Sequence, residues 1–154
     1  MLLRHSEARR IAEAMWGSGG TSAYRTNRRG AYYFSCAGHG GYIVDAAALG
    51  ALEKQAIAPY YGSPEPWTRY VWANGKRSAF EHPNRQKRGS YRIDSTSYTV
   101  TGTYYVFEED CDWAILEKLT PIRAWWKDAQ GNRCGPSEEY RDQIFARYAK
   151  KEVA

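Results

Sequence analysis

Two residues of this sequence have side chains that could do chemistry: a histidine among glycines and a cysteine among acids. His39 lies in residues 37–41, where glycine N–H groups could form an oxyanion hole beside an exposed base. Cys111 lies in residues 108–112 at a predicted helix start, a position that lowers a thiol pKa. However, its four acidic neighbours oppose the thiolate, and the chain has no G-x-S-x-G nucleophile elbow. A hydrolase or transferase using His39 with Cys111 or Glu109 is therefore the alternative hypothesis, and we expect no enzymatic activity.

The same residues raise the question of a metal site. Cys36 and His39 form one close pair of ligand types, to which Cys111 and Cys134 could add two more. Structural zinc sites usually arrive as two close pairs, and isolated cysteines are more often small buried residues. Three widely spaced cysteines are also more typical of a reducing compartment than of a disulfide framework. We therefore predict no metal and no cofactor.

The net charge of +5 is segregated along the chain. Residues 70–92 carry six Lys or Arg against one Glu, interleaved with aromatic residues. Basic side chains beside stackable rings are what single-stranded nucleic-acid grooves use. The alternative is a solvated hairpin whose rings face the core. The residues predicted to bind a partner in this segment are Trp72, Lys76, Arg77, Arg85, Lys87, Arg88, Tyr91 and Arg92.

The next segment has the opposite sign. Residues 93–113 contain five acids and no base. A helix N-terminus, where acids face the positive end of the macrodipole, accounts for two or three of them. We predict that Glu108, Glu109, Asp110 and Asp112 form a second contact surface. A surface that carries both a basic and an acidic patch suits a protein partner as well as a nucleic acid, since charge complementarity steers association.

A pair of adjacent tryptophans offers a further candidate contact. Neighbouring residues of a strand point to opposite faces, so Trp125 and Trp126 cannot both lie on one face. One of the two rings is therefore expected to be partly exposed, and tryptophan is favoured at interface hot spots.

These residues must be positioned by helices and strands that the sequence pattern predicts. A helix over 2–16 precedes a hairpin of strands 24–26 and 31–36, then a strand at 42–44. Asp45 is a good cap for a helix over 46–57 that Pro59 ends. Strands at 67–72 and 76–80 would form a hairpin through Asn74 and Gly75.

The second half of the sequence continues to alternate predicted strands and helices. Strands are predicted at 90–94 and 97–107, and the acidic residues 108–112 would open a helix to about residue 119. A last helix begins near Ser137, with Tyr140, Ile144, Phe145 and Tyr148 as an apolar stripe. The fold class predicted is α+β: one domain over 1–154, with a mainly antiparallel sheet, three or four helices and a basic insertion at about 70–92. An aromatic content of 15% excludes a generic disordered chain.

Two segments of the chain resemble a small family of uncharacterised domains of phages, plasmids and other mobile elements. They are the run AGHGG at 37–41, before a strand, and EEDCDWA at 108–114, opening a helix. Phe107 stands where that family has tyrosine. The family-motif residues are Gly38, His39, Gly40, Gly41, Cys111 and Trp113. Residues 60–100 look like an addition or variation relative to the family.

The resemblance implies a biological setting for the protein, and it brings no established biochemical activity. Mobile elements often encode small non-enzymatic proteins that blunt host defences, including antirestriction and anti-CRISPR proteins. It therefore implies a counter-defence inhibitor in the cytoplasm of a host bacterial cell, occupying a surface of a defence protein or ribonucleoprotein complex. Without an apolar run of membrane-spanning length in the sequence, we expect no membrane partner. The alternative is a protein that binds DNA or RNA through residues 70–92.

Overall fold

The helices and strands are given by a computed structural model that describes residues 2–16, 21–36, 38–61, 65–70, 77–80, 90–93 and 99–149. The helices are α1 (His5–Trp16), α2 (Ala51–Tyr61), α3 (Trp113–Leu119) and α4 (Glu138–Tyr148), with a short 3-10 helix at Ala46–Ala48. The strands are β1 (Ser22–Thr26), β2 (Ala31–Cys36), β3 (His39–Asp45), β4 (Glu65–Tyr70), β5 (Arg77–Phe80), β6 (Ser90–Ile93), β7 (Thr99–Glu108), β8 (Ala124–Lys127) and β9 (Arg133–Cys134). The predicted α+β fold is confirmed.

Seven of the described strands form one antiparallel sheet in the order β4-β7-β3-β2-β1-β8-β9. The predicted hairpin of β1 and β2 lies near its middle. Gly30 adopts a φ of +82° in the connecting turn, and the Thr26 hydroxyl donates to the Ala31 carbonyl at 2.6 Å. This turn holds the two aromatic-rich strands in a fixed register, with Tyr24 opposite Tyr33.

The sheet separates two clusters of buried side chains. On one face, Tyr42, Val44 and Phe107 pack against α2, α3 and α4. On the other, Phe34 and Ile43 pack against α1. The alternation along the central strands produces this division, because successive side chains of a strand point to opposite faces. The first face carries the larger cluster and the site described below.

The helix predicted over 46–57 is wrong in its bounds. Asp45 does cap a helix, since its Oδ1 accepts from the Ala47 N–H at 2.8 Å, but that helix is the 3-10 turn Ala46–Ala48. The chain extends at Leu49 and starts α2 at Ala51, and Pro59 lies inside α2 rather than beyond it. Pro59 leaves the carbonyl of Gln55 without its helical hydrogen bond, and α2 ends two residues later.

The predicted hairpin of 67–72 with 76–80 is also wrong. β4 pairs with the first half of β7, from Glu65 opposite Tyr104 to Tyr70 opposite Thr99. β5 pairs instead with β6, from Arg77 opposite Ile93 to Phe80 opposite Ser90. The ten-residue β7 offers β4 a long partner edge next to β3, so the long-range pairing prevails over the local one. Residues 71–76 and the predicted loop 82–89 lie outside the described residues.

Of the two helices predicted in the last third of the chain, one differs from the expectation and the other is confirmed. Residues 109–112 form a turn, and α3 begins only at Trp113, with no side-chain cap from Asp112. The predicted last helix is confirmed as α4, which Ser137 caps by accepting from the Tyr140 N–H. Of its apolar stripe, Ile144 and Phe145 pack against the core, whereas Tyr140 and Tyr148 are exposed.

Candidate functional site: an acidic aromatic pocket

The glycines of the 37–41 motif allow three strands to approach closely. A Cβ at Gly40 would lie 2.5 Å from the Phe34 carbonyl oxygen, and one at Gly41 would lie 2.9 Å from the Glu108 Cα. Gly41 has a φ of +146°. The Glu109 N–H donates to the Gly40 carbonyl at 2.9 Å, which ties the acidic turn to β3. The glycines therefore place residues 108–112 against the sheet.

His39 and Cys111, the candidate catalytic residues, belong to this region. His39 is exposed and lines a crevice of about 10 Å³ with Glu108, Glu109 and Asp110. Burial, together with Asp112 and Glu108, raises the pKa of the Cys111 thiol to about 12. Because only the thiolate is a strong nucleophile, Cys111 is poorly suited to covalent catalysis at neutral pH.

The zinc hypothesis depended on Cys36, whose side chain lies outside the described part of the chain. Within the part of the chain that the structure describes, no three His, Cys, Asp or Glu side chains group as metal ligands would. Cys111 and Cys134 are free thiols in intermediate environments.

A larger concave site lies beside the acidic turn, and we call it the acidic aromatic pocket. Its volume is about 380 Å³. Trp113 and Glu117, four residues apart on one face of α3, line it, and Glu109 lines it from the turn that precedes α3. The other lining residues come from β1, β2, β8 and α4: Tyr24, Tyr33, Ser35, Ala124, Trp126, Pro136 and Tyr140.

Aromatic rings in mutual contact form most of the pocket wall. Tyr24 packs on Tyr33 with ring centroids 5.6 Å apart, and on Trp126 at 6.0 Å. Across the pocket, Tyr140 stacks on the buried Trp113 at 5.8 Å. Trp126 is 46% exposed and Tyr140 is 50% exposed, so two large rings remain available to a ligand at the mouth.

A buried ionic cluster below the rings fixes the pocket wall. Glu117, only 2% exposed, accepts from the Tyr42 hydroxyl at 2.6 Å and from Arg141 Nε at 3.1 Å. The same Tyr42 hydroxyl accepts from the Ala124 N–H at 2.7 Å. These bonds join α3, α4, β3 and β8 at one point. Burial raises the pKa of Glu117 even though Tyr42 and Arg141 hold its anionic form, and burial beside Glu117 raises the pKa of Tyr42.

Glu109 is the acidic group that remains open to a ligand. Among the described residues its carboxylate has no hydrogen-bond or ion-pair partner. Desolvation and the charge of Asp110 raise its pKa, while His39 acts in the opposite direction. A cation entering the pocket would relieve that repulsion. The pocket therefore combines a half-buried carboxylate with rings that can hold a cation over their faces.

The two adjacent tryptophans lie on opposite faces of the sheet, as predicted. Trp126 faces the acidic aromatic pocket, and its neighbour Trp125 lines a separate groove on the α1 face. There the Arg133 guanidinium lies 4.0 Å from the centroid of the Trp125 ring, and Arg25 lies 6.0 Å from it. Trp126 therefore lies near acidic side chains, and Trp125 lies near basic ones.

The predicted contact residues of the basic segment fall into two groups. Trp72, Lys76, Arg85, Lys87 and Arg88 lie outside the described residues. Arg77 lies in β5, and Tyr91 and Arg92 lie in β6 opposite Ala79 and Ser78. Their roles stay predictions. By contrast, Glu109 and Trp113 are brought together in the pocket, whereas Asp110 borders only the crevice at His39.

Sequence reasoning missed the residues that complete the pocket. The four-residue spacing from Trp113 to Glu117 was a readable signal. The involvement of Tyr24, Tyr33 and Tyr140 was not, because it depends on the sheet order and on the docking of α4.

Comparison with protein-family models, with curated proteins and with solved structures finds no match to this chain. None of the helices in the described ranges combines the length and apolar character that a membrane span requires.

Proposed function

We propose that this is a non-enzymatic binding protein that docks on a partner protein through the acidic aromatic pocket. The observation that carries the proposal is that both sequence motifs converge on this one concave site. Gly40 holds the acidic turn through its carbonyl, and the turn and α3 supply Glu109 and Trp113. The occupant would be a lysine or arginine side chain projecting from the partner surface.

The chemistry of the wall supports a basic side chain. A cation over the face of Trp or Tyr is attracted by the ring quadrupole, by about 0.5–2 kcal/mol depending on desolvation. The Glu109 carboxylate supplies the counter-charge at the rim, and a volume of about 380 Å³ lies within the usual range of ligand pockets. Exposed Trp126 and Tyr140 are the residue types that dominate interface energetics.

The biological role follows from the resemblance to domains of mobile elements. We propose that the partner is a host defence protein or ribonucleoprotein complex, and that occupation of its surface inhibits it. An anti-CRISPR or antirestriction inhibitor needs a stable binding face and no chemistry of its own.

The test is protection of a phage in host strains that carry defined CRISPR or restriction systems. Expression of the protein should raise plating efficiency in a susceptible strain, and the purified protein should bind the corresponding complex. Trp126→Ala should weaken that binding on the order of thirtyfold, the loss expected of a hot-spot residue. Tyr148→Ala is the matched control, since Tyr148 is 44% exposed on α4 but does not line the pocket.

A pH titration separates a charged contact from simple apolar docking. Because the pKa of Glu109 is raised, its carboxylate loses charge at a higher pH than an ordinary glutamate does. Binding should weaken as pH falls through that value, and Glu109→Gln should remove the dependence. Absence of protection in every strain would contradict the inhibitor role, and full affinity in Trp126→Ala would contradict the docking site.

A further inference from the structure

The groove on the α1 face of the sheet has a chemistry opposite to that of the pocket, and it is independent of the proposed partner docking. Its volume is about 1120 Å³. Four arginines line it, and no acidic residue does. They are Arg4, just before α1, Arg25 of β1, and Arg28 and Arg29 of the β1–β2 turn. We call it the arginine groove.

Part of this positive charge is uncompensated. Arg25 and Arg29 are exposed, and among the described residues neither has an acidic side chain within ion-pair distance. The same holds for Arg133, which covers the Trp125 ring. Arg28 is anchored, because its Nη1 donates to Glu53 at 2.6 Å and to the Ala48 carbonyl at 3.2 Å. Arg25 and Arg29 therefore give the groove two unpaired guanidinium groups, and Arg133 adds a third beside Trp125.

The segment that carries these arginines is held in place before any ligand arrives. The Asn27 side chain donates to the Pro121 carbonyl at 2.9 Å and accepts from the Arg123 N–H at 2.8 Å. The Asn27 N–H also donates to the Arg123 carbonyl at 3.1 Å. This clamp joins the β1–β2 turn to the start of β8, which carries Trp125. Pre-organisation of this kind lowers the entropic cost of binding.

We propose that the arginine groove binds single-stranded nucleic acid. Guanidinium groups match phosphate oxygens in planar, bidentate geometry, and spaced arginines can follow a backbone of phosphates. The exposed Arg133 guanidinium lies 4.0 Å over the Trp125 ring, and an unpaired base can stack on a guanidinium plane held in this way. A duplex would present its phosphates but not a free base face, so this stack favours a single strand.

The experiment is fluorescence anisotropy of a labelled oligothymidylate of about 12 nucleotides, a length within the site sizes of single-strand binders. Three phosphate contacts, by Arg25, Arg29 and Arg133, predict a slope of log affinity against log salt of about −2, from a factor of about 0.7 per phosphate. The double variant Arg25→Ala with Arg29→Ala should bring the slope to about −0.7 and weaken binding at low salt on the order of tenfold. Trp125→Ala should weaken binding, and Trp125→Phe should restore most of it.

The controls separate this groove from other basic surfaces. Lys118→Ala with Arg147→Ala removes two exposed charges elsewhere and should leave affinity unchanged. Duplex DNA of the same length should bind more weakly than the single strand.

The proposal is overturned if the wild-type protein does not bind at low salt, or if the Arg25 and Arg29 double variant binds normally. It is also overturned if polyglutamate competes equally well, or if Arg85→Ala, Lys87→Ala and Arg88→Ala together abolish binding while the groove variants do not. None of these results bears on Trp126 and partner docking, so the two proposals fail separately.

Discussion

Replacing Gly41 by alanine should destabilise the whole sheet. Gly41 lies in β3, opposite Glu108 of β7, with a φ of +146°. The new methyl would lie 2.9 Å from both the Phe107 carbonyl carbon and the Glu108 Cα, and closer still to the Phe107 carbonyl oxygen. These are backbone atoms of the neighbouring strand, so no side-chain rotation can relieve the contact.

The expected cost follows from two contributions. Holding a non-glycine residue in an unfavourable backbone region costs about 1–3 kcal/mol. Separating β3 from β7 on the order of an ångström weakens ladder hydrogen bonds worth about 1 kcal/mol each and loosens the buried rings beside them. We therefore expect Gly41→Ala to lower the free energy of unfolding by about 4 kcal/mol, a large part of the roughly 5–15 kcal/mol of a typical domain.

The assay is urea denaturation followed by far-ultraviolet circular dichroism. Gly38→Ala is the matched control, because Gly38 has a φ of +87° but no atom within 4 Å of an added Cβ. It should cost about 1–2 kcal/mol, the backbone contribution alone. If the Gly41 and Gly38 variants have the same stability, close strand approach is not the reason for the glycines in the motif.

Two further predictions concern the groups around the pocket. Arg141→Ala should lower the free energy of unfolding by about 3 kcal/mol in the same assay, because it removes the nearer cation of the buried Glu117 carboxylate and leaves Arg123 at 3.9 Å. By comparison, Lys118→Ala breaks an exposed ion pair with Asp142 and should cost less than about 1 kcal/mol; similar losses in the two variants would refute the buried role of Glu117. Alkylation by iodoacetamide, followed by peptide mass spectrometry, should find Cys111 slow at pH 8. A pKa of about 12 leaves a thiolate fraction of roughly one in ten thousand, and rapid labelling of Cys111 in the folded protein would contradict that environment.

The sequence pattern predicted elements whose signals are local. The hairpin around residues 27–30, the strand at 99–108 and the capped helix α4 depend on turn residues, alternation and a serine cap within a few positions. The helix over 46–57 was misplaced because Leu49, a good helix former, is drawn into the core in an extended conformation. Tertiary burial there outweighs helix propensity.

The candidate site was predictable only in part. Glu109 and Trp113 stood out through charge and motif, and the helix face that Trp113 shares with Glu117 was readable from spacing. The burial of Glu117 was not readable, because it is made possible by Arg141, 24 residues away, and by the Tyr42 hydroxyl. Likewise, the arginines of the β1–β2 turn gave no signal of their own until the fold set them beside Trp125.

Because Trp125 and Trp126 are adjacent in β8, the register of this short strand decides which ring faces the acidic aromatic pocket and which faces the arginine groove. β8 pairs with β1 through Arg25 opposite Trp125 and Thr26 opposite Ala124. A slip of one residue would send Trp126 to the arginines and Trp125 to the carboxylates, because a slip exchanges the two faces of a strand. The clamp at Asn27 and the bond from Ala124 to Tyr42 prevent that slip. An insertion or deletion between Pro121 and Ala124 would therefore disable both surfaces at once, without altering a single residue that lines either of them.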